Sequence, residues 1–213
     1  GHEPEPVAIG SMAVDGPPMR ADAIVRIQSM TKLVTTVAAL RLVEQGALAL
    51  DDPVATWLPE LSAPRVLTTP DAPLSDTVPA ERPITLRHLL TNMSGYGMIL
   101  ADSPLQHAMA ANGTEAGLLP PSLGADDWLA ALSSLPLVGQ PGTVWRYHHS
   151  FGLLGILLSR LTGMSAGEHL ERSLLGPLGM ADTGYFVPVA KRDRLPALYT
   201  ESDGQLVELE GIG

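Results

Sequence analysis

Residues 28–40 read Q-S-M-T-K-L-V-T-T-V-A-A-L, and the fold turns on how Lys32 in this stretch is understood. The apolar positions that follow predict a helix from about Ser29 to Gln45, with Ser29 as N-cap, Gly46 just past the end and Arg41 near the negative terminus. A lysine in the first turn faces the positive end of the helix, where Asp or Glu would be stabilising. Lys32 therefore calls for a chemical reason. Ser29 and Lys32 form S-x-x-K, and residues three apart on a helix share a face. A serine hydroxyl needs a base to become a nucleophile. Desolvation among apolar neighbours and the positive helix end both favour the uncharged amine that could serve as that base. The same helix end directs backbone N–H groups toward the nucleophile, which suits an oxyanion.

Met30, Leu33, Val34, Val37, Ala38, Ala39, Leu40, Leu42 and Val43 surround most of this helix, so it is expected to be central. The 213 residues are 45% hydrophobic and 17% charged, which predicts a substantial core and excludes disorder. A net charge of −10 without basic clusters argues against nucleic-acid binding. The absence of cysteine excludes disulfides and thiolate metal sites. No apolar run reaches transmembrane length. The N-terminal G-H-E-P-E-P lacks a signal pattern, so the reading is a soluble chain, cytoplasmic or exported with its signal removed.

Along the chain, residues 7–27 read as a strand or turn region, with a turn at V-D-G-P-P and a candidate strand at 23–27. Six prolines between 59 and 83 predict a long extended loop. Residues 84–180 read as mainly helical: a short helix over 84–93 capped by Thr85, then helices near 103–112, 125–134, 150–161 and 165–174, with Gly163 between the last two. Q-P-G-T-V-W-R-Y is a turn followed by an extended piece, and strands are expected around S-D-G at 202–204. Strand-rich ends around a helical middle predict an α+β fold.

Several motifs in order carry a family resemblance. R-I-Q-S-M-T-K, L-V-E-Q-G-A-L-A-L-D-D-P-V-A-T-W-L-P-E, I-T-L-R-H-L-L-T-N-M-S-G, W-R-Y-H-H-S-F-G-L-L-G-I-L-L-S-R-L-T-G and L-L-G-P-L-G-M-A-D-T-G-Y resemble the serine β-lactamase-like superfamily over about residues 20–200. The resemblance is greatest to class C β-lactamases and family VIII carboxylesterases. It implies a β-lactamase/transpeptidase-like fold, a helical region with an antiparallel sheet. It also implies Ser29 as the acylated nucleophile, Lys32 as its proton acceptor and Tyr147 as the tyrosine sharing the proton transfer, with no metal or cofactor. A phenol beside ammonium groups loses its proton more readily.

The chain departs from the pattern in two places. Lactam-cleaving members carry Y-x-N or S-x-N where this chain has Y-H-H, which favours a small-molecule ester over a lactam as substrate. His149 then stands at the amide's position as a candidate substrate contact, with His148 and His149 expected to point opposite ways on a strand. His88 reads as a structural histidine, His107 and His169 as helix-surface residues, and Ser94 as a turn or cap residue. The second departure is length. The family's third motif, a K-T-G or W-x-G/H-x-G strand supplying the second oxyanion N–H, has no match in residues 186–213. The chain therefore reads as a single β-lactamase-like domain over 1–213 that is partial, its sheet incomplete or completed by a second chain or oligomer. Such a chain is expected to be poorly soluble, oligomeric or inactive by itself. The loop at 59–83 and the 96–124 region are expected to shape the pocket. The rivals to ester hydrolysis are amide hydrolysis, by a β-lactamase or D-amino-acid peptidase, and an inactive truncated relative acting as a binding protein.

Overall fold

The computed structural model describes residues 5–117 and 120–209; residues 118 and 119 of the 96–124 region, the start of G-H-E-P-E-P and the last four residues lie outside them. The chain falls into two compact units, Met30–Leu174 and the two flanks Gly1–Ser29 with Leu175–Gly213.

The unit Met30–Leu174 holds the helices. Helix α1 spans Thr31–Glu44 and opens from a 3-10 turn at Gln28–Met30, so its N-cap is Met30 and no side chain caps it. Ser29 was expected at that cap; one further turn of tighter winding displaces it from the role. At the other end the chain reverses at Gly46 (φ 72°), where the amides of Gly46 and Ala47 return to the carbonyls of Val43 and Leu42. Only a residue without Cβ adopts this left-handed geometry freely.

The proline-rich stretch, expected as extended, contains a folded hairpin. Strand β1 (Arg65–Leu67) pairs antiparallel with β2 (Thr77–Pro79), with Val66 opposite Val78. Pro79 ends its strand, where a missing N–H costs least. Val66 and Leu67 are buried, and Leu67 N–H donates to the Leu137 carbonyl, so this hairpin is anchored by apolar burial as well as by its own pairing.

The remaining helices are α2 (Leu86–Leu90), α3 (Pro104–Ala111), α4 (Ala125–Ser133), α5 (His149–Thr162) and α6 (Ala166–Leu170), the last continuing through a π-helical turn to Leu175. Thr85 caps α2 in a reciprocal box: its side chain accepts from His88 N–H while His88 Nδ1 accepts from Thr85 N–H. Ser103 and Ser165 cap α3 and α6. Gly163, in the left-handed region at φ 68°, closes α5.

Helix α5 is the hub of this unit. Leu153, Leu154, Leu157 and Leu158 are all fully buried, and α1, α2, α4 and α6 pack around it. Arg160 reinforces that arrangement: its guanidinium donates to both Glu60 oxygens at 2.8 and 2.9 Å, to Asp126 at 2.8 Å and to the Trp57 carbonyl at 3.1 Å. The face of α1 bearing Thr35, Ala38, Ala39 and Leu42 is buried. Its other apolar residues are not. Met30, Leu33, Val37 and Leu40 are 63%, 69%, 44% and 43% exposed, so the helix expected to be central is covered on one side only.

Polar contacts link the two flanks within their unit. Residues 23–27 form no strand; Ile24 N–H donates to the Arg194 carbonyl instead. Arg20, Asp22, Asp182, Lys191, Asp193 and Arg194 form a linked set of ion pairs. Hydrogen bonds from Arg194 and then Lys191 hold the Asp182 carboxyl well below its ordinary range, at about 2. Strands β3 (Tyr199–Ser202) and β4 (Gln205–Glu208) form a hairpin about Asp203 and Gly204, both at positive φ, the turn that matches the twist of paired strands. Helices with small antiparallel sheets make the fold α+β.

Candidate functional site

Ser29 is exposed in the 3-10 turn that leads into α1, and it is the last residue before the helical unit begins. Its predecessor Gln28 stands at φ 48°, a left-handed conformation that costs a non-glycine residue about 1 kcal/mol or more. Lys32 is the second residue of α1 and is half-buried. The first turn of α1 carries no acidic side chain, so the positive helix end is not offset there.

Tyr147 is delivered by the segment that precedes α5. Residues 145–147 of this segment form no strand, and two contacts fix them. Met98 N–H donates to the Tyr147 carbonyl at 2.8 Å, and Arg146 N–H donates to the Asn92 carbonyl at 2.7 Å. The approach is close because residues 95 and 97 of N-M-S-G-Y-G are glycines; a Cβ on Gly97 would overlap Arg146. Gly95, at φ 95°, turns the chain beneath it. Ser94 is a buried turn residue whose hydroxyl accepts from Tyr96 N–H and lies 2.8 Å from the Ser150 hydroxyl.

Lys32 and Tyr147, distant in sequence, are brought together. Lys32 Nζ lies 4.5 Å from the centre of the Tyr147 ring and 5.9 Å from that of Phe151. The Tyr147 ring stacks against Trp145 at 5.9 Å. The amine is thus seated over aromatic faces, whose negative quadrupole attracts a cation.

The histidines differ from expectation. His148 and His149 lie on no strand. His148 is the N-cap of α5, half-buried at φ 96°, with its ring 6.2 Å from that of Tyr147. Burial, and then the charge of Lys32, lower its pKa. His149 is the first helical residue and is buried. Its ring lies parallel to Trp128 at 6.0 Å, and Nε2 is 2.7 Å from the Thr114 carbonyl. A carbonyl only accepts, so Nε2 carries the hydrogen and Nδ1 is left as a buried acceptor without a partner. This ring is engaged in the core, an environment unlike that of the substrate contact expected of it. Burial brings its pKa down to about 4, against a smaller opposing effect of the Thr114 carbonyl. His169, expected at the surface, is buried instead, because α6 packs against α5 and α1. His107 is exposed and lies 2.7 Å from Asp102.

Two residues of W-R-Y-H-H to which the sequence reading gave no role thus border the Tyr147 position: His148 and Arg146. Strained backbone flanks both candidate catalytic positions, at Gln28 before Ser29 and at His148 after Tyr147. Such strain concentrates where surrounding structure holds groups for function, and it leaves no mark on periodicity. Among the described residues no cluster of three or more His, Asp or Glu could hold a metal ion, and no helix is long and apolar enough to cross a membrane.

Comparison with known proteins defines the class. The Beta-lactamase family profile matches residues 6–211, and the chain belongs to that family. It is 41% identical over 194 residues to Protein Rv1367c of Mycobacterium tuberculosis, covering 90% of this chain and 46% of that protein. It is 35% identical over 181 residues to Esterase EstB of Burkholderia gladioli, covering 85% of this chain and 43% of the esterase. Among solved structures, EstCE1, described as a hydrolase with promiscuous acyltransferase activity, superimposes with a TM-score of 0.77 at 27% identity, over 95% of this chain and 50% of EstCE1. The chain spans about half the length of the relatives it matches.

Proposed function

We propose that this chain supplies the nucleophile and proton-transfer groups of a serine hydrolase acting on small carboxylic esters. The observation that carries the reading is the seating of Lys32 Nζ 4.5 Å over the Tyr147 ring. It joins two residues that the family resemblance assigns to one proton-transfer unit, and that 115 positions of sequence separate. The esterase activity in the name of EstB supports an ester substrate.

In this mechanism Lys32, uncharged and assisted by Tyr147, takes the proton of the Ser29 hydroxyl as Oγ bonds to the ester carbonyl carbon. The tetrahedral intermediate collapses, the carbon–oxygen bond to the alcohol breaks, and the proton passes from the lysine–tyrosine unit to the departing oxygen. Water then attacks the acyl-serine, giving its proton back through the same groups, and the carboxylic acid leaves.

Reaction with a fluorophosphonate probe followed by mass spectrometry tests the reading. Ser29 is expected to be labelled and Ser29→Ala to be inert. Hydrolysis of p-nitrophenyl butyrate should fall by at least about a thousandfold in Ser29→Ala and in Lys32→Ala, because members of a catalytic unit fail together. Normal turnover by Ser29→Ala would end the assignment. Faster turnover of nitrocefin than of p-nitrophenyl butyrate would move it to lactam hydrolysis.

A further inference from the structure

Arg146 is a guanidinium in a chain of net charge −10 that no carboxylate neutralises among the described residues. Among the described residues its guanidinium makes no ion pair, and its Nε is buried without a hydrogen-bond partner. A half-buried guanidinium in this state costs free energy that an anion would relieve. The side chain also borders a cavity of about 220 Å³ whose other walls include Pro70, Met98, Ile99 and Leu100. Asp71, the one acidic residue on that wall, is exposed and forms no ion pair with Arg146 among the described residues.

We propose that this cavity is a binding site for a short-chain carboxylate, with the Arg146 guanidinium holding the carboxylate and the apolar walls holding a tail of a few carbons. Two features select this ligand. The planar fork of guanidinium donors matches the two oxygens of a carboxylate better than a spherical anion. The cavity is smaller than the roughly 300–1,000 Å³ of typical small-molecule pockets, so it suits a fragment-sized ligand. Its lining is mostly apolar, so an inorganic anion would leave that surface wet.

The site is continuous with the segment that delivers Tyr147. Met98 forms part of the cavity wall and also donates its N–H to the Tyr147 carbonyl. Trp145 and Tyr147, the two sequence neighbours of Arg146, stack on one another. The carboxylate site therefore adjoins the segment that carries Tyr147, and Tyr147 is not among the residues lining it. It stands independently of the hydrolase reading, because the test is equilibrium binding.

Calorimetric titration of the chain with butyrate, butyramide and inorganic phosphate decides the matter. Butyrate is expected to bind, with butyramide and phosphate at least about tenfold weaker, a loss of the order of one good charge-assisted contact. Arg146→Gln should weaken butyrate about tenfold or more, and Arg146→Lys by less. Ile99→Glu, which adds a like charge to the wall without touching Arg146, should also weaken it and decides the case should Arg146→Gln fail to fold. Absence of butyrate binding, equal affinity in the folded Arg146→Gln and Ile99→Glu proteins, or phosphate binding as tightly as butyrate would overturn the proposal.

Discussion

Gly97 shows how one missing methyl group positions a candidate catalytic side chain. Its backbone touches Arg146 so closely that an added Cβ would overlap the Arg146 Cβ and crowd its backbone. Neither neighbour is the free end of a flexible chain, so the two segments would have to separate. Gly97→Ala is therefore expected to stretch the Met98–Tyr147 hydrogen bond and shift the phenol. The cost should be about 1–3 kcal/mol of stability and roughly 10- to 100-fold in kcat/KM for p-nitrophenyl butyrate, since small misplacements of catalytic groups are expensive. Thermal unfolding together with steady-state kinetics checks both, and an unchanged melting temperature with an unchanged rate would refute the argument. At this scale the sequence was informative about chemistry and poor about geometry. The family pattern singled out Ser29, Lys32 and Tyr147 as candidates, and the structure places Lys32 over the Tyr147 ring. The left-handed backbone at Gln28 and His148, and the absence of an ion pair for Arg146 among the described residues, carry no local signal in the sequence.

Helix α5 begins with a buried histidine, and that placement gives the element a dependence on pH. Neutral His149 fits the core: it stacks on Trp128 and donates to the Thr114 carbonyl. The unfolded chain returns it to the ordinary histidine value of about 6.5, whereas in the fold it titrates at about 4. The unfolded state therefore binds more protons between these values, so stability falls as pH drops through that interval and is unaffected by this group above it. The full difference corresponds to about 3 kcal/mol. His88, His148 and His169 are also lowered, chiefly by burial, and act in the same direction. The contribution of His149 is isolated by comparing urea unfolding of the parent and His149→Gln at pH 7 and pH 4.5. The parent should lose about 2–3 kcal/mol more than the variant over this range; equal losses would show that the ring is not held neutral. The helix itself was readable from its apolar spacing and from Gly163. The depth of His149 was not, because a Y-H-H sequence in an extended piece alternates faces, whereas here the helix starts at the second histidine and turns it inward.

Across the whole chain, the least ordinary surface is the outer side of α1. A helix with apolar residues nearly all round was expected to be enclosed, yet Met30, Leu33, Val37 and Leu40, spaced three and four apart, form an exposed stripe opposite the buried Thr35, Ala38, Ala39 and Leu42. Sequence periodicity reports which faces are apolar; it does not report what covers them, and the chain spans about half the length of its relatives. Contiguous exposed apolar surface of this kind binds apolar solutes. The 213-residue chain should accordingly enhance the fluorescence of 8-anilinonaphthalene-1-sulfonate while its near-ultraviolet circular dichroism remains that of a packed protein, which separates a native apolar stripe from a molten state. Leu33→Glu and Val37→Lys together should remove most of that enhancement without lowering the melting temperature by more than a few degrees, because both side chains already face solvent. Dye binding that persists undiminished in the double variant would mean that the apolar surface lies elsewhere and that this face of α1 is covered in solution.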